Sequence, residues 1–197
     1  MLAESREVWL VRHGATEWSE NGRHTGVSDI PLVDEGRQQA ERLRPRLSGR
    51  RFHLVLSSPL QRAAETARLA GFEDGLELTP DLVEWDYGEY DGLTTAQIRE
   101  RNPGWVLWKT GGPGGETPEQ VGARADRVIA RLRQVPGDVL VFSHGHFLRV
   151  LATRWLELAP SNGRYLYIGT AGIGVLGYER DNAVIGAWNF SADGGPA

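Results

Sequence analysis

Val8-Trp9-Leu10-Val11-Arg12-His13-Gly14 runs a short apolar strand straight into a fixed cation, an imidazole and a glycine. The same cadence returns at Asp138-Val139-Leu140-Val141-Phe142-Ser143-His144-Gly145. Between them, His53-Leu54-Val55-Leu56-Ser57 reads as another strand that is apolar throughout. Strands that do not alternate apolar with polar are buried on both faces, and helix-spaced apolar residues separate these three. The pattern predicts an α/β sandwich with a mostly parallel sheet. Ligands of such sheets sit beyond the carboxyl ends of the strands. If the two strands are neighbours, His13 and His144 face one pocket. A lone histidine after a strand is more often structural, but two His-Gly steps at equivalent strand ends point to shared function. The glycine after His13 is expected to let a bound group approach the backbone.

Working outward, residues 35–47 read as a helix with Ala40, Leu43 and Leu47 on one face and Pro45 as a kink or early end. Ser58-Pro59 fits an N-cap followed by proline at the first helical position, with a helix running to about Ala70. A short strand is expected at 76–78, a helix at 95–101, and a helix from the Thr117-Pro118-Glu119-Gln120 cap pattern to about Gln134. Residues 148–158 read as an apolar helix, and 174–178 and 184–188 as strands. The tail, 191–197, is expected to be mobile. No linker divides residues 1–197, which read as one domain. The Gly- and aromatic-rich stretch at about 85–118 reads as an insertion that covers a site, and Gly111-Gly112-Pro113-Gly114-Gly115 within it as a flexible loop.

Composition narrows the function classes. The net charge of -4 gives no global field for nucleic acid or an anionic membrane. The arginines at 37, 42, 44, 46, 50 and 51 are interleaved with Glu35 and Glu41 and read as a solvated helix face. With no cysteine there is no disulfide, thiolate metal site or Cys nucleophile. Residues 1–7 lack the apolar core of a signal peptide and no apolar run is of membrane-spanning length, so a cytoplasmic location is expected. An exposed edge strand near the C-terminus is the surface through which a homodimer would form.

Two further residues belong with the histidines. Arg62 lies in the first turn of its helix, where a cation opposes the helix dipole. It is either a surface arginine paired with a carboxylate such as Glu65, or a phosphate clamp offering forked donors. Glu84 sits between Val83 and Trp85. Partial desolvation there would raise its pKa and suit it to general acid work; the alternative is an edge-strand glutamate in water. Asp86 and Glu89 compete locally for the acid role.

This ordered set closely resembles the histidine phosphatase superfamily, also called phosphoglycerate mutase-like. The matching residues are Arg12-His13-Gly14, Thr16-Glu17-Trp18, Thr25-Gly26, Asp29, Pro31-Leu32 and Gly36. They continue through 57–63 with Glu65-Thr66-Ala67, then Glu84, Tyr87-Gly88 and Asp91-Gly92, and end at Ser143-His144-Gly145-His146. The resemblance implies a three-layer α/β/α sandwich, its sheet mostly parallel with an antiparallel edge strand. It implies His13 as nucleophile, Arg12, Arg62 and His144 holding the phosphoryl group, and Glu84 as proton donor. Ser19, Thr25 and Gly26 fall where the family places further phosphate contacts, and Gly145 accompanies them. His146 departs from the glycine common in relatives and either reaches substrate or caps the following helix.

The physical logic agrees with these roles. The attacking imidazole must be neutral, and Arg12, Arg62 and a charged His144 around it would disfavour its protonation. The same cations stabilise charge on the phosphoryl oxygens. No metal or cofactor is expected: arginines crowd the only imaginable cluster, His13, His144 and His146. The 111–115 run lacks the Gly-Lys-Ser/Thr of a P-loop.

The acidic, aromatic segment 84–93 is a poor surface for a bisphosphorylated intermediate and lacks a basic insertion. The chain therefore looks like the acid phosphatase and sugar-bisphosphate phosphatase branch, a phosphomonoester hydrolase acting on small metabolites such as sugar phosphates. A cofactor-dependent phosphoglycerate mutase is the alternative, and a non-catalytic phosphate-binding protein a more distant one. Trp85, Tyr87, Trp105 and Trp108 wall the entrance or form a satellite core. Lys109 and Arg149 read as solvated cations, with contact to a substrate tail as the alternative.

Overall fold

The computed structural model describes residues 6–195 and 197. The reading of the N-terminus at residues 1–5 lies outside them. Six strands, β1 (Val8–Arg12), β2 (Leu54–Ser57), β3 (Leu76–Leu78), β4 (Val139–Ser143), β5 (Ile173–Glu179) and β6 (Asn182–Phe190), form one sheet in the order β3-β2-β4-β1-β5-β6. The helices are α1 (Glu17–Glu20), α2 (Asp34–Ser48), α3 (Gln61–Leu69), α4 (Thr95–Arg101), α5 (Leu107–Thr110), α6 (Pro118–Leu132) and α7 (Gly145–Trp155).

Pleating sends alternate side chains to opposite faces, and both faces are covered. Val8, Leu10, Val139 and Val141 pack under α6 and α7, while Trp9, Val11, Leu140 and Phe142 pack under α2 and α3. This explains strands apolar at every position. β4 lies parallel between β1 and β2, with Arg12 opposite Ser143 and Ser57 opposite Phe142. His13, Ser58 and His144 therefore leave the sheet at one edge. The antiparallel part is the hairpin β5–β6, with β5 against β1 and β6 outermost. The expected antiparallel edge is thus two strands rather than one.

Several local expectations shift. α2 continues through Pro45 to Ser48, because the carbonyl that loses its partner belongs to exposed Glu41, which water can reach. Ser58 does not cap α3. The N-cap is Leu60, whose N–H donates to Ser58 Oγ at 3.3 Å. α7 begins at Gly145 rather than near 148, directly after β4. Within residues 85–118, Trp85, Trp105 and Trp108 belong to the core, which ties the stretch to the body of the fold. Nor is 111–115 flexible: a Cβ on Gly112 would lie 1.9 Å from the Tyr87 carbonyl oxygen, and Glu89 N–H donates to Pro113 O at 2.9 Å. Glycine is needed there for backbone contact. The tail turns back, with Ser191 N–H donating to Gly195 O at 2.7 Å. Among the described residues no helix is long and apolar enough to cross a membrane.

Candidate active site

His13 follows β1, and its amide donates to Ser143 O at 3.0 Å. Its Nδ1 lies 2.7 Å from Gly14 O. A carbonyl only accepts, so Nδ1 carries the proton and Nε2 keeps its lone pair. Burial first, then Arg62 and Arg12, hold the His13 pKa well below the ordinary histidine value. Gly14 donates to Thr66 Oγ1 at 3.1 Å. A Cβ there would lie 2.2 Å from Gly36 O, so the glycine is required by the start of α2 and not by an approaching ligand.

Arg62 is fully buried in the first turn of α3. Its Nε donates to His144 Nδ1 at 3.1 Å, Nη1 to Ser28 O at 2.8 Å, and Nη2 to Gly26 O at 2.9 Å and Thr25 O at 3.2 Å. Four of the five guanidinium N–H groups are thereby engaged, leaving one for a ligand. Glu65 is not its partner; it pairs with Arg37 at 2.8 Å. Because His144 Nδ1 accepts, its proton is on Nε2, which donates to Ser58 Oγ at 2.8 Å. Burial, Arg62 and then His13 hold His144 well below the usual histidine range. The expectation of a charged His144 is therefore corrected: its ring is neutral, and its Nδ1 lone pair is committed to Arg62.

Arg12 extends from the end of β1. Nη1 donates to Ile168 O at 2.9 Å, whereas the buried Nε meets no protein acceptor among the described residues. An unpaired buried donor is costly unless an acceptor arrives, and this one fits an oxyanion.

Glu84 is 5% exposed. Oε1 accepts from Trp85 N–H at 2.9 Å and Phe147 N–H at 2.8 Å, and Oε2 from His146 N–H at 3.0 Å. Two of these donors belong to the first turn of α7, where amides lack partners within the helix. Arg124 fixes the segment from behind, donating to Val83 O at 2.6 Å and Glu84 O at 3.2 Å while pairing with Glu116 at 2.7 Å. Asp86 is turned aside to accept from Gly88 N–H at 2.9 Å.

Arg12, His13, Glu84 and Gly145 open on a cavity of about 160 Å³, which Ser19, Thr25 and His146 also line. Of the carboxylates in 84–93, Glu84 alone lines it. Arg62 and His144 adjoin it through His13, whose ring centre lies 5.2 Å from that of His144. Gly26 is engaged elsewhere, its N–H donating to Asp91 at 2.7 Å. Ser19 Oγ donates to Thr16 O at 2.8 Å within the cap of α1. His146 bonds Tyr87 Oη through Nδ1 at 2.6 Å, so its side chain faces the cavity rather than capping α7. Of the four aromatics, only Tyr87 lines the cavity. Clefts of about 310 and 470 Å³ lie beside the C-terminal hairpin, but neither is lined by a histidine.

Sequence reasoning missed His24, Arg23, Tyr167 and Arg124. His24 lines the cavity beside Tyr87, with ring centres 4.9 Å apart, and burial lowers its pKa to about 4. Nothing in its loop marked it. Arg124 did carry a signal: it lies with Val121, Ala125 and Val128 on the apolar stripe of α6, where a cation needs a buried reason. Among the described residues, no three His, Cys, Asp or Glu side chains converge as a metal-holding group.

Residues 8–191 match the model of the histidine phosphatase superfamily, branch 1. The chain is 44% identical over 193 residues to an acid phosphatase of Mycobacterium tuberculosis, covering 94% of this chain and 95% of that one. It is 33% identical over 181 residues to the sedoheptulose 1,7-bisphosphatase of Saccharomyces cerevisiae, covering 76% of this chain and 67% of that one. The solved structure of an open reading frame of Mycobacterium tuberculosis superposes with a TM-score of 0.90 at 41% identity, covering 95% of this chain and 98% of that one.

Proposed function

The chain belongs to branch 1 of the histidine phosphatase superfamily and is a phosphatase, and from that premise we propose that it hydrolyses small phosphomonoesters, without a metal, through a phosphohistidine on His13. The observation that carries this reading is the His13 Nδ1 contact to Gly14 O at 2.7 Å, which leaves Nε2 unprotonated at the cavity. The Nε2 lone pair attacks phosphorus, the ester P–O bond breaks, and Glu84 gives its proton to the leaving oxygen. Glu84 then takes a proton from water, whose oxygen displaces Nε2 and releases inorganic phosphate. Arg12 and the remaining Arg62 donor stabilise the phosphoryl oxygens. His144 orients Arg62, Gly26 holds it through its carbonyl, and Ser19, Thr25, Gly145 and His146 border the ester.

A cavity of about 160 Å³ is smaller than the roughly 300 Å³ at which pockets for drug-sized ligands begin. This supports small metabolites such as sugar phosphates. The two relatives named for phosphatase activities support water as the acceptor rather than a second metabolite. A cysteine-free chain suits the reducing cytoplasm, which we propose as its compartment. Purified protein is expected to hydrolyse p-nitrophenyl phosphate in excess EDTA, and His13→Ala to lose that turnover. Dependence on an added metal, or turnover retained by His13→Ala, contradicts the reading. Rapid formation of 2-phosphoglycerate from 3-phosphoglycerate plus 2,3-bisphosphoglycerate would identify a mutase instead.

A further inference from the structure

The N–H that Arg62 keeps free for a ligand is aimed by a loop rather than by α3. Nη1 carries it, and the other N–H of Nη1 donates to Ser28 O at 2.8 Å. The N–H groups of Nη2 go to Gly26 O and Thr25 O, at 2.9 and 3.2 Å. Residues 25–28 belong to no helix or strand, and Val27 among them is exposed. Three carbonyls of a surface loop therefore set the plane of a fully buried guanidinium. They keep their direction only if something else holds the loop.

Asp91 holds it. Its Oδ1 accepts from Gly26 N–H at 2.7 Å, and its Oδ2 from Ser28 N–H at 3.1 Å and the Ser28 hydroxyl at 2.8 Å. Bonds to a carboxylate are charge-assisted and roughly twice as strong as neutral ones. Among the described residues Asp91 joins no salt bridge, so its charge falls on this loop. Gly26 and Ser28 are two of the three residues whose carbonyls take Arg62. The loop is seated on the same segment at other points. His24 N–H donates to Leu93 O at 2.9 Å, Gly92 N–H donates to His24 O at 2.8 Å, and a Cβ on Gly26 would lie 2.9 Å from Trp85 O. At the far end of the loop Asp29 Oδ1 accepts from Gln61 N–H at 2.8 Å, a tie to α3 that travels with Arg62. Asp91 instead refers the loop to residues 84–91, the segment that carries Glu84. Burial works against the charge on Arg62, and Glu84, Asp29, Tyr87 and Asp91 counter it.

We propose that Asp91 is a positioning residue of the phosphoryl site: by gripping Gly26 and Ser28 it aims the free Nη1–H of Arg62 and fixes that donor relative to Glu84. The proposal rests on the phosphatase reading above for what Arg62 binds. The brace of the arginine and the proton donor are then two ends of one short segment. A donor to the phosphoryl oxygens acts most strongly on charge that grows in the transition state. Asp91 therefore governs transition-state binding more than ground-state binding.

Asp91→Asn keeps the shape of the side chain but turns an NH2 toward the Gly26 or the Ser28 amide, donor against donor. The test measures inhibition of p-nitrophenyl phosphate hydrolysis by orthovanadate, which mimics the five-coordinate transition state, and by inorganic phosphate, the product. In Asp91→Asn the preference for vanadate over phosphate is expected to shrink about tenfold, and kcat/KM to fall about tenfold or more, short of the roughly 10²–10³ that outright loss of such a donor costs. Inhibition constants report on folded molecules, so lost stability alone does not move their ratio. Asp86→Asn is the control: Asp86 bonds Gly88 N–H within the same segment, away from residues 25–28, and its ratio is expected to stay within about twofold of the parent. In an Arg62→Lys background Asp91→Asn is expected to cost less than about a further twofold, because both act through one donor. An unchanged ratio in Asp91→Asn, an equal change in Asp86→Asn, or an undiminished cost in the Arg62→Lys background overturns the proposal. Should Arg62→Lys fail to fold, the ratios of the two aspartate variants decide. Loss of turnover by His13→Ala beside an unchanged Asp91→Asn refutes this proposal and leaves the phosphatase reading standing.

Discussion

Replacing Glu84 by Gln separates the two proton transfers assigned to one carboxyl group. The amide is nearly isosteric, and its oxygen can keep the Oε1 bonds to Trp85 and Phe147. Its NH2 then faces the His146 N–H that Oε2 accepts at 3.0 Å, donor against donor. Losing that bond costs about 1–3 kcal/mol, which lowers the melting temperature by about 2–12 °C in a chain of this size. The fold should therefore survive, and the kinetic consequences can be read in the variant. An alkyl phosphate needs a proton on its departing oxygen, so its kcat/KM should fall by about 10²–10⁴. p-Nitrophenolate leaves without one, so the first step on that ester should persist. Water activation then becomes slow, and a stopped-flow trace should show a burst of about one p-nitrophenolate per protein followed by slow turnover. Equal loss of the first step on both esters, or no loss on either, would refute the assignment of Glu84 as acid and then base.

Other consequences are equally direct. Arg124→Met removes the cation that pairs with Glu116 and holds the carbonyls of Asp81, Val83 and Glu84; stability should fall by about 3 kcal/mol in a denaturant titration, and kcat should fall because Glu84 loses its support. The histidine pKa values of His13, His144 and His146, well below 6.5, and of His24, about 4, fix the sign of the pH dependence. Below pH 6.5 the unfolded chain binds protons that the native one refuses, so stability is full above that pH and declines as pH falls. The slope is about 1.4 kcal/mol per pH unit for each such histidine, to be checked by urea titrations from pH 7 to 5. Because His13 stays neutral below pH 6.5, the acid limb of kcat/KM should lie below that value; a limb at 6.5 or above contradicts the tautomer and charge assigned here.

The sheet was legible because its strands are covered on both faces, and such strands advertise themselves as unbroken apolar runs. Val8–Val11 and Val139–Phe142 are also the strands whose ends carry the two histidines, so the same letters gave the fold and half the site. What escaped notice depends on contacts distant in sequence. The neutrality of His144 follows from its burial and then from Arg62, 82 positions away, aiming Nε at its Nδ1. The rigidity of 111–115 follows from Tyr87 and Gly88 packed against it, whereas glycines alone suggest freedom. The acidity of 84–93 was read as a surface property, yet only Glu84 turns to the cavity while Asp91 bonds the amides of Gly26 and Ser28. Arg23 and Arg149 are ordinary surface letters until the fold brings them to one cavity.

The most direct test of the account is to catch the covalent intermediate. Protein mixed rapidly with a good substrate is quenched in base, where phosphohistidine survives, and digested with trypsin. Mass spectrometry of the peptide running from His13 to Arg23 is expected to show one phosphoryl group on His13, more abundant in Glu84→Gln. A site that turns over substrate with no phosphoryl group on that peptide, or with it on the peptide carrying His144, contradicts the claim that His13 Nε2 is the nucleophile.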